Sequence, residues 1–345
     1  MHIDLLTDAE AATLQSQIAA STSILLCCHQ NADGDAIGSC LGWAEYLRQV
    51  GKDPVVIVPD MYPDFLQWLP NTEKVVRCDK HKESVEMMMK TADLVFCLDF
   101  NTYSRTGEDL ARMLEASPAS KILIDHHPNP DIDTVLTISY PEMSSTCELV
   151  FRLIWQLGGF EMMTKKAAVP IYCGMMTDTG GFTFNSTRPE IYFIISQLLT
   201  KRIDKDKIYR NVYNNYSEWR MRLMGYVLLE KMRVMPEYHA AYYLLTRDDL
   251  KRFHFTKGDA EGLVNMPLQI KGTKLSISLR EDTDKENLVW VSLRSVDQFS
   301  CTEVAQQFFN GGGHLNASGG RLYCSMAEAE EIVKKAIMHF EKELK

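Results

Sequence analysis

The feature that most constrains this chain is a repeated one: a short apolar stretch that breaks off at carboxylates or imidazoles. Residues 23–28 lead into His29-Gln-Asn-Ala-Asp33-Gly-Asp35, and residues 94–98 run into Asp99. Residues 121–124 are followed by Asp125-His126-His127-Pro128, and Asp178 lies in Gly174-Met-Met-Thr-Asp-Thr-Gly180. Such side chains build poor cores and good metal sites. Read as four strand ends, they predict one polynuclear metal centre, because ligands collect outside the carboxyl ends of the strands in open α/β sheets.

Further strand-like runs lie near 54–58 and 134–138, with helical candidates at 37–50 and 82–90 between them. Short apolar runs alternating with helical stretches predict a mostly parallel sheet flanked by helices. After Thr187-Arg188-Pro189 the pattern becomes helical and rich in charge and tyrosine. A second strand-and-helix region follows, with strands expected at 238–246, 274–280 and 288–294 and helices at 302–309 and 326–344. The expected fold class is therefore α/β, in three parts: a catalytic domain over 1–190, a helical connector over 191–236 and a smaller C-terminal α/β domain over 237–345.

No apolar run approaches the roughly 20 residues that span a bilayer, and the first ten residues lack the basic and apolar regions of a signal peptide. Nine cysteines, an odd number with no C-x-x-C pair, speak against a disulfide framework or a zinc ribbon. The expected location is the cytoplasm, with no membrane partner. A net charge of −9 argues against coating long duplex nucleic acid, which needs a basic face. It leaves room for a small phosphorylated substrate, since bound divalent cations reverse the local field. The sequence leaves monomer and homodimer open.

Each motif also has a plain structural reading. Asp33 or Asp35 can cap a helix starting near Ala36, and Asp99 before Asn101-Thr102 can close a turn. Asp178 in its Thr- and Gly-rich segment can do either, or can be a ligand held by neighbouring hydroxyls. His126 and His127 point to different sides of an extended chain, so one can ligate while the other faces a substrate. Gly311-Gly312-Gly313-His314 reads as a loop whose bare N–H groups cradle an anion, or as a flexible helix end with a surface histidine. Arg280 and Arg294 each end an expected strand.

Taken together, these motifs resemble those of the DHH phosphoesterase family with its DHH-associated C-terminal domain, and within it the oligoribonuclease (nanoRNase) and pAp phosphatase type. The resemblance covers nearly the whole chain. It departs at Ala32, where H-x-N-P-D-G-D is usual, which alters loop stiffness and removes no ligand. It implies two divalent ions, with Mn2+ suiting the shell and Mg2+ left open. His29, Asp33 and Asp99 would bind one ion. Asp35, Asp99, His126 and Asp178 would bind the other, with Asp99 bridging. Asp99, His126 and His127 would form the catalytic core, with His127 facing phosphate. His314 with Gly311, Gly312 and Gly313, and by extension Arg280 and Arg294, would contact substrate. The implied reaction is in-line attack of a hydroxide shared by the two metals on very short oligoribonucleotides, giving mononucleotides, and on 3′-phosphoadenosine 5′-phosphate (pAp), giving AMP. Cyclic-dinucleotide phosphodiesterases share the motifs and are the nearest alternative. Family II pyrophosphatases usually carry a basic S-R-K-K-Q-type motif that is missing here. A RecJ-type exonuclease on long single strands suits a longer, less acidic chain, and a non-catalytic nucleotide-binding protein would be expected to lack a ligand.

Overall fold

The computed structural model describes residues 3–256 and 258–345, and the chain divides into two compact units, Met1–Asn215 and Tyr216–Lys345. The boundary falls inside the stretch read as a helical connector.

The first unit is built on strands β1 (Ile24–Cys27), β2 (Val55–Val58), β3 (Val76–Arg77), β4 (Leu94–Leu98), β5 (Ser120–Asp125) and β6 (Leu136–Ser139). They form one parallel sheet in the order β3-β2-β1-β4-β5-β6. This is a doubly wound order, and its direction of growth reverses between β1 and β4, where such sheets bind ligands. Helices α1 (Asp8–Ala20), α2 (Gly34–Gln49), α3 (Lys82–Thr91), α4 (Glu108–Ala116), α5 (Thr146–Gln156), α6 (Lys165–Asp178), α7 (Pro189–Thr200) and α8 (Lys205–Tyr213) complete the unit.

The strands read as unbroken apolar runs because both faces are covered. Ile24, Leu26, Phe96, Leu98, Ile122 and Ile124 join a core with α2, α5 and α6. Their alternates Leu25, Cys27, Val95, Cys97 and Leu123 pack with Val85, Met89, Leu110 and Leu114 of α3 and α4. The first core also takes in Ile191, Ile194 and Leu198 of α7 and Ile208 and Val212 of α8.

Several elements differ from the sequence reading. Helix α1 was not expected, although Thr7 and Glu10 form a reciprocal capping box at its start. Asp178 is not at a strand end or in a loop; it is the last residue of α6. Helix α6 is buried from Ala167 to Met176 almost without interruption, so its sequence shows no polar face to mark a helical period. The close approach of α2 and α6 depends on glycine. A Cβ on Gly38 would lie 2.5 Å from the Pro170 carbonyl oxygen and 2.9 Å from Cys147 Sγ.

The second unit carries α9 (Glu218–Tyr226), α10 (Arg247–Arg252), α11 (Cys301–Phe308), α12 (Met326–His339) and α13 (Glu341–Leu344). Its strands are β7 (Arg233–Met235), β8 (Ala240–Leu245), β9 (Leu275–Glu281), β10 (Val289–Ser295), β11 (Gly312–His314) and β12 (Ala317–Leu322). They form a mixed sheet in the order β11-β12-β10-β9-β8-β7, in which only β8 and β9 run parallel. Leu275, Ile277, Leu279, Val289, Val291 and Leu293 pack one face against α11 and α12. The expected single C-terminal helix is interrupted at Phe340, which is buried against Phe299 and Phe308.

Because backbone blocks any side chain at position 38, Gly38→Val is expected to lower the unfolding free energy by about 1–3 kcal/mol or more. Urea unfolding followed by circular dichroism would read this as a lower midpoint at an unchanged slope.

Candidate metal centre and a basic sheet face

The site in the first unit starts at the β1–β4 reversal. After β1 the chain turns through His29 into α2, and Asp33 is the N-cap of that helix. Its Oδ1 accepts from the N–H groups of Asp35 and Ala36, both at 3.0 Å. Its other oxygen lies 3.9 Å from His29 Nε2. The capping and ligand readings of Asp33 are thus compatible, one oxygen serving each. Asp35, in the first turn of α2, is 1% exposed although charged in type. Its two oxygens accept from the Thr146 and Cys147 N–H groups at the start of α5, at 2.6 and 2.8 Å.

Asp99 follows β4 in the left-handed backbone region, with φ +65°. That conformation is uncommon without glycine and concentrates at functional sites. It aims one oxygen at His29 Nε2, 3.5 Å away, and the other at His126 Nε2, also 3.5 Å away. The Thr146 hydroxyl donates to the latter oxygen at 2.9 Å. His126 Nε2 further faces Asp35 at 3.8 Å and Asp178 at 3.5 Å. The expected ligands His29, Asp33, Asp35, Asp99, His126 and Asp178 are therefore gathered in one place. Their donor atoms form sets spanning no more than 4.8 Å, with Asp99 shared between His29–Asp33 and Asp35–His126.

Two observations test whether this set suits divalent cations. His29 Nδ1 and His126 Nδ1 lie 2.9 and 3.3 Å from the carbonyl oxygens of Gln30 and Met143. A carbonyl only accepts, so each Nδ1 carries a proton and Nε2 is the nitrogen turned toward the carboxylates, the one a metal ion would take as ligand in place of a proton. The 3.5–3.9 Å separations are too long for hydrogen bonds. They approach the spacing of two donors on one ion, which at about 2.1 Å each and a tetrahedral angle are about 3.4 Å apart. The electrostatics agree. Burial, Asp99 and Asp178 push the Asp35 carboxyl well up. Asp99, despite burial, is held below the usual carboxylate range, first of all by His29. Burial lowers the basicity of His29, but Asp99 and Asp33 outweigh it and raise its pKa to about 9. Crowded carboxylates that pull a proton onto a neighbouring imidazole are carboxylates in need of a cation. The residues fit divalent metal ions.

His127 is placed differently. Its Nδ1 is 2.7 Å from Asp125 Oδ1 and 3.7 Å from Asp99. Burial keeps the ring neutral, with a pKa pushed down to about 2, and pushes Asp125 up to about 7 with help from Asp99. The second oxygen of Asp125 is buried without a hydrogen-bond partner.

Sequence reasoning missed several contributors. Thr146 and Cys147 hold Asp35 and Asp99, and Ser145 caps the helix they begin; the pattern Ser145-x-x-Glu148 was the available signal. Arg105 is a further cation beside the cluster. Its charge disfavours protonation of His29 and His127, and its backbone carbonyl accepts from the Gln30 N–H at 2.7 Å. No local pattern marks it.

The remaining expected site residues lie in the second unit. Gly311-Gly312-Gly313-His314 is not a loop; residues 312–314 are the edge strand β11, paired with β12. The glycines serve close approach. A Cβ on Gly311 would fall 1.8 Å from the Gly319 carbonyl oxygen, and one on Gly313 2.5 Å from that of Ala317. The Gly311 N–H already donates to the Ala305 carbonyl at 3.1 Å. Directly opposed residues of an antiparallel pair share a face. One row across the sheet therefore runs His314, Ala317, Arg294, Ser276. The next row on that face holds Gly312, Gly319, Ser292 and Ser278, and the row beyond it holds Arg280. Arg280, Arg294 and His314 are thus half-buried on one face floored by small residues, the Arg280 row lying about 14 Å along the strands from the Arg294 row.

A model of the DHH family N-terminal domain matches residues 23–175, and one of the DHHA1 domain matches residues 239–342. The bifunctional oligoribonuclease and PAP phosphatase NrnA of Thermus thermophilus is 30% identical over 317 residues, covering 91% of this chain and 89% of that one. The chain belongs to the DHH family. A DHH-family relationship is consistent with the solved structures. An exopolyphosphatase-related protein from Bacteroides fragilis is 47% identical, with TM-score 0.93 over 98% of this chain and 99% of that one. RecJ from Thermus thermophilus, solved with Mn2+, matches at TM-score 0.58 and 13% identity over 99% of this chain and 56% of its own, a likeness of fold.

Metal removal gives a direct test of the centre. Mn2+ at a hundredfold excess over its dissociation constant is expected to stabilise the chelated protein by about 2.7 kcal/mol. Calorimetry of Asp99→Asn should show most of that gain lost.

Proposed function

We propose that this DHH-family protein is a metal-dependent phosphoesterase that hydrolyses very short oligoribonucleotides to mononucleotides and pAp to AMP. The observation that carries the reading is Asp99, shared between two donor sets at the reversal point of the sheet. Similarity over nine-tenths of the chain to a relative named as a bifunctional oligoribonuclease and PAP phosphatase supports the substrate class. His29, Asp33 and Asp99 would hold one divalent ion, and Asp35, Asp99, His126 and Asp178 a second. Mn2+ is favoured by the mixed imidazole and carboxylate shell, with Mg2+ the other candidate. Such ions supply Lewis acidity to phosphoryl oxygens and lower the pKa of water.

The chain's own residues do the rest. Asp125, whose carboxyl burial pushes up to about 7, would donate to His127 Nδ1, so that the neutral ring carries its proton on Nε2, where a phosphate oxygen would accept it. In the second unit, taken here as the substrate-binding domain, Arg280, Arg294 and His314 offer donors to phosphate and base. Edge strand β11, with Gly312 and Gly313, adds backbone to that surface. An acidic chain, at −9 overall, repels long polyanions and favours short ones. A cytoplasmic location is supported by nine free cysteines and by the finding that no described helix is long and apolar enough to cross a membrane.

Product analysis with Mn2+ across pAp, dinucleotides and longer RNA tests the reading. Turnover should be fastest on pAp and the shortest RNAs, and Asp99→Ala or Asp178→Ala should abolish it on both. Hydrolysis confined to cyclic dinucleotides or to pyrophosphate would sink the proposal. Arg294→Ala is expected to raise KM about tenfold or more, the worth of a charge-assisted hydrogen bond, while Mn2+ still stabilises the variant as it does the parent.

A further inference from the structure

The segment from Met143 to Cys147 touches three of the candidate metal ligands. The Met143 carbonyl oxygen faces His126 Nδ1 at 3.3 Å. The Thr146 and Cys147 N–H groups hold both oxygens of Asp35, and the Thr146 hydroxyl holds Asp99. Three ligands contributed by three different elements thus take their orientation from five consecutive residues.

The segment is itself tied to one buried glutamate through Ser144 and Ser145. Glu148 is fully buried. Its Oε2 accepts from the Ser144 N–H at 2.9 Å, the Ser144 hydroxyl at 2.7 Å and Arg188 Nη2 at 2.7 Å. Its Oε1 accepts from Arg152 Nε and Nη2 at 3.0 and 2.7 Å. Its own backbone N–H donates to Ser145 Oγ at 3.0 Å. Arg188, the N-cap residue of α7, places its other nitrogen 2.9 Å from Met143 Sδ. So Arg188 grips the first residue of the segment, the methionine whose carbonyl orients His126, and the glutamate that follows its last. A buried carboxylate this completely satisfied keeps a single geometry, because losing any donor leaves charge unpaired in a low-dielectric interior.

We propose that Glu148 and Arg188, with Arg152, form a clamp of positioning residues that sets the affinity of the metal centre by fixing the 143–147 segment. The inference rests on the metal-binding reading above. None of the three side chains enters the ligand set. They act through the backbone and hydroxyl donors that aim Asp35, Asp99 and His126, and outer partners of this kind typically contribute about tenfold to hundredfold in metal affinity.

The test is Mn2+ binding to the full-length protein, measured by titration calorimetry and by the loss of the free-ion electron paramagnetic resonance signal. Arg188→Ala is the main variant, because Arg188 is partly exposed and its loss leaves the Glu148–Arg152 pair in place. It should bind Mn2+ about tenfold or more weakly, while the metal-free protein still unfolds cooperatively, at a lowered midpoint because Glu148 has lost one donor. Arg188→Lys, which keeps one donor to Glu148 and loses the second arm, should recover part of the affinity. Glu148→Gln should weaken binding further if it folds. Parental Mn2+ affinity in a folded Arg188→Ala protein would overturn the clamp and leave the metal centre standing. Failure of the parent protein itself to bind Mn2+ would overturn both.

Discussion

A single carboxylate organises the first unit. Asp99 leaves β4 in a left-handed backbone conformation, and that turn is what lets its two oxygens face opposite ways. One looks toward His29 from the neighbouring strand, the other toward His126 and Thr146. A residue held in that region costs of order 1–3 kcal/mol for most side chains, less for aspartate. The surroundings over-determine it. The Asp99 N–H donates to the Ile124 carbonyl, and the carboxylate is closed in by histidines whose other nitrogens are already bound to backbone. Geometry and charge reinforce each other here, since the same burial that makes the carboxylates repel makes a shared cation worth more.

The core and the site are therefore not separate designs. Gly38 lets α2 pack against the Pro170 carbonyl of α6, and Gly174 of α6 lies where a Cβ would meet Asp35 itself, 3.0 Å from its Cα. The contact that closes the hydrophobic core thus also sets how far Asp178, at the end of α6, stands from His126. Helix α5 completes the arrangement. Its first N–H groups, unsatisfied within any helix, are spent on Asp35, and the positive end of its dipole favours that negative charge. The clamp around Glu148 lies in the first turn of the same helix.

The second unit works by register. Its polar face is a consequence of strand pairing that alternates Leu275, Ile277 and Leu279 with Ser276, Ser278 and Arg280. A slip of one residue would send the arginines into the packed core against α11 and α12. Glycines at 311 and 313 hold β11 tightly against β12, and this puts His314 in the row of Arg294.

The sequence by itself determined the local pieces. Apolar runs of strand length placed β1, β4 and β5, and the residues at their ends announced His29, Asp33, Asp35, Asp99 and His126 as ligand types, because backbone period and side-chain chemistry are both written locally. Asp178 was legible as a ligand type and illegible as part of a helix, since a helix buried on nearly every side has no polar period to read. Only the tertiary structure decided which groups meet. Thr146 reaches Asp35 across 111 residues and Asp99 across 47, Arg188 reaches Glu148 from another helix, and Arg105 comes beside His29 from a different strand's loop. Those encounters follow from strand order and close packing, and no short window of sequence carries either.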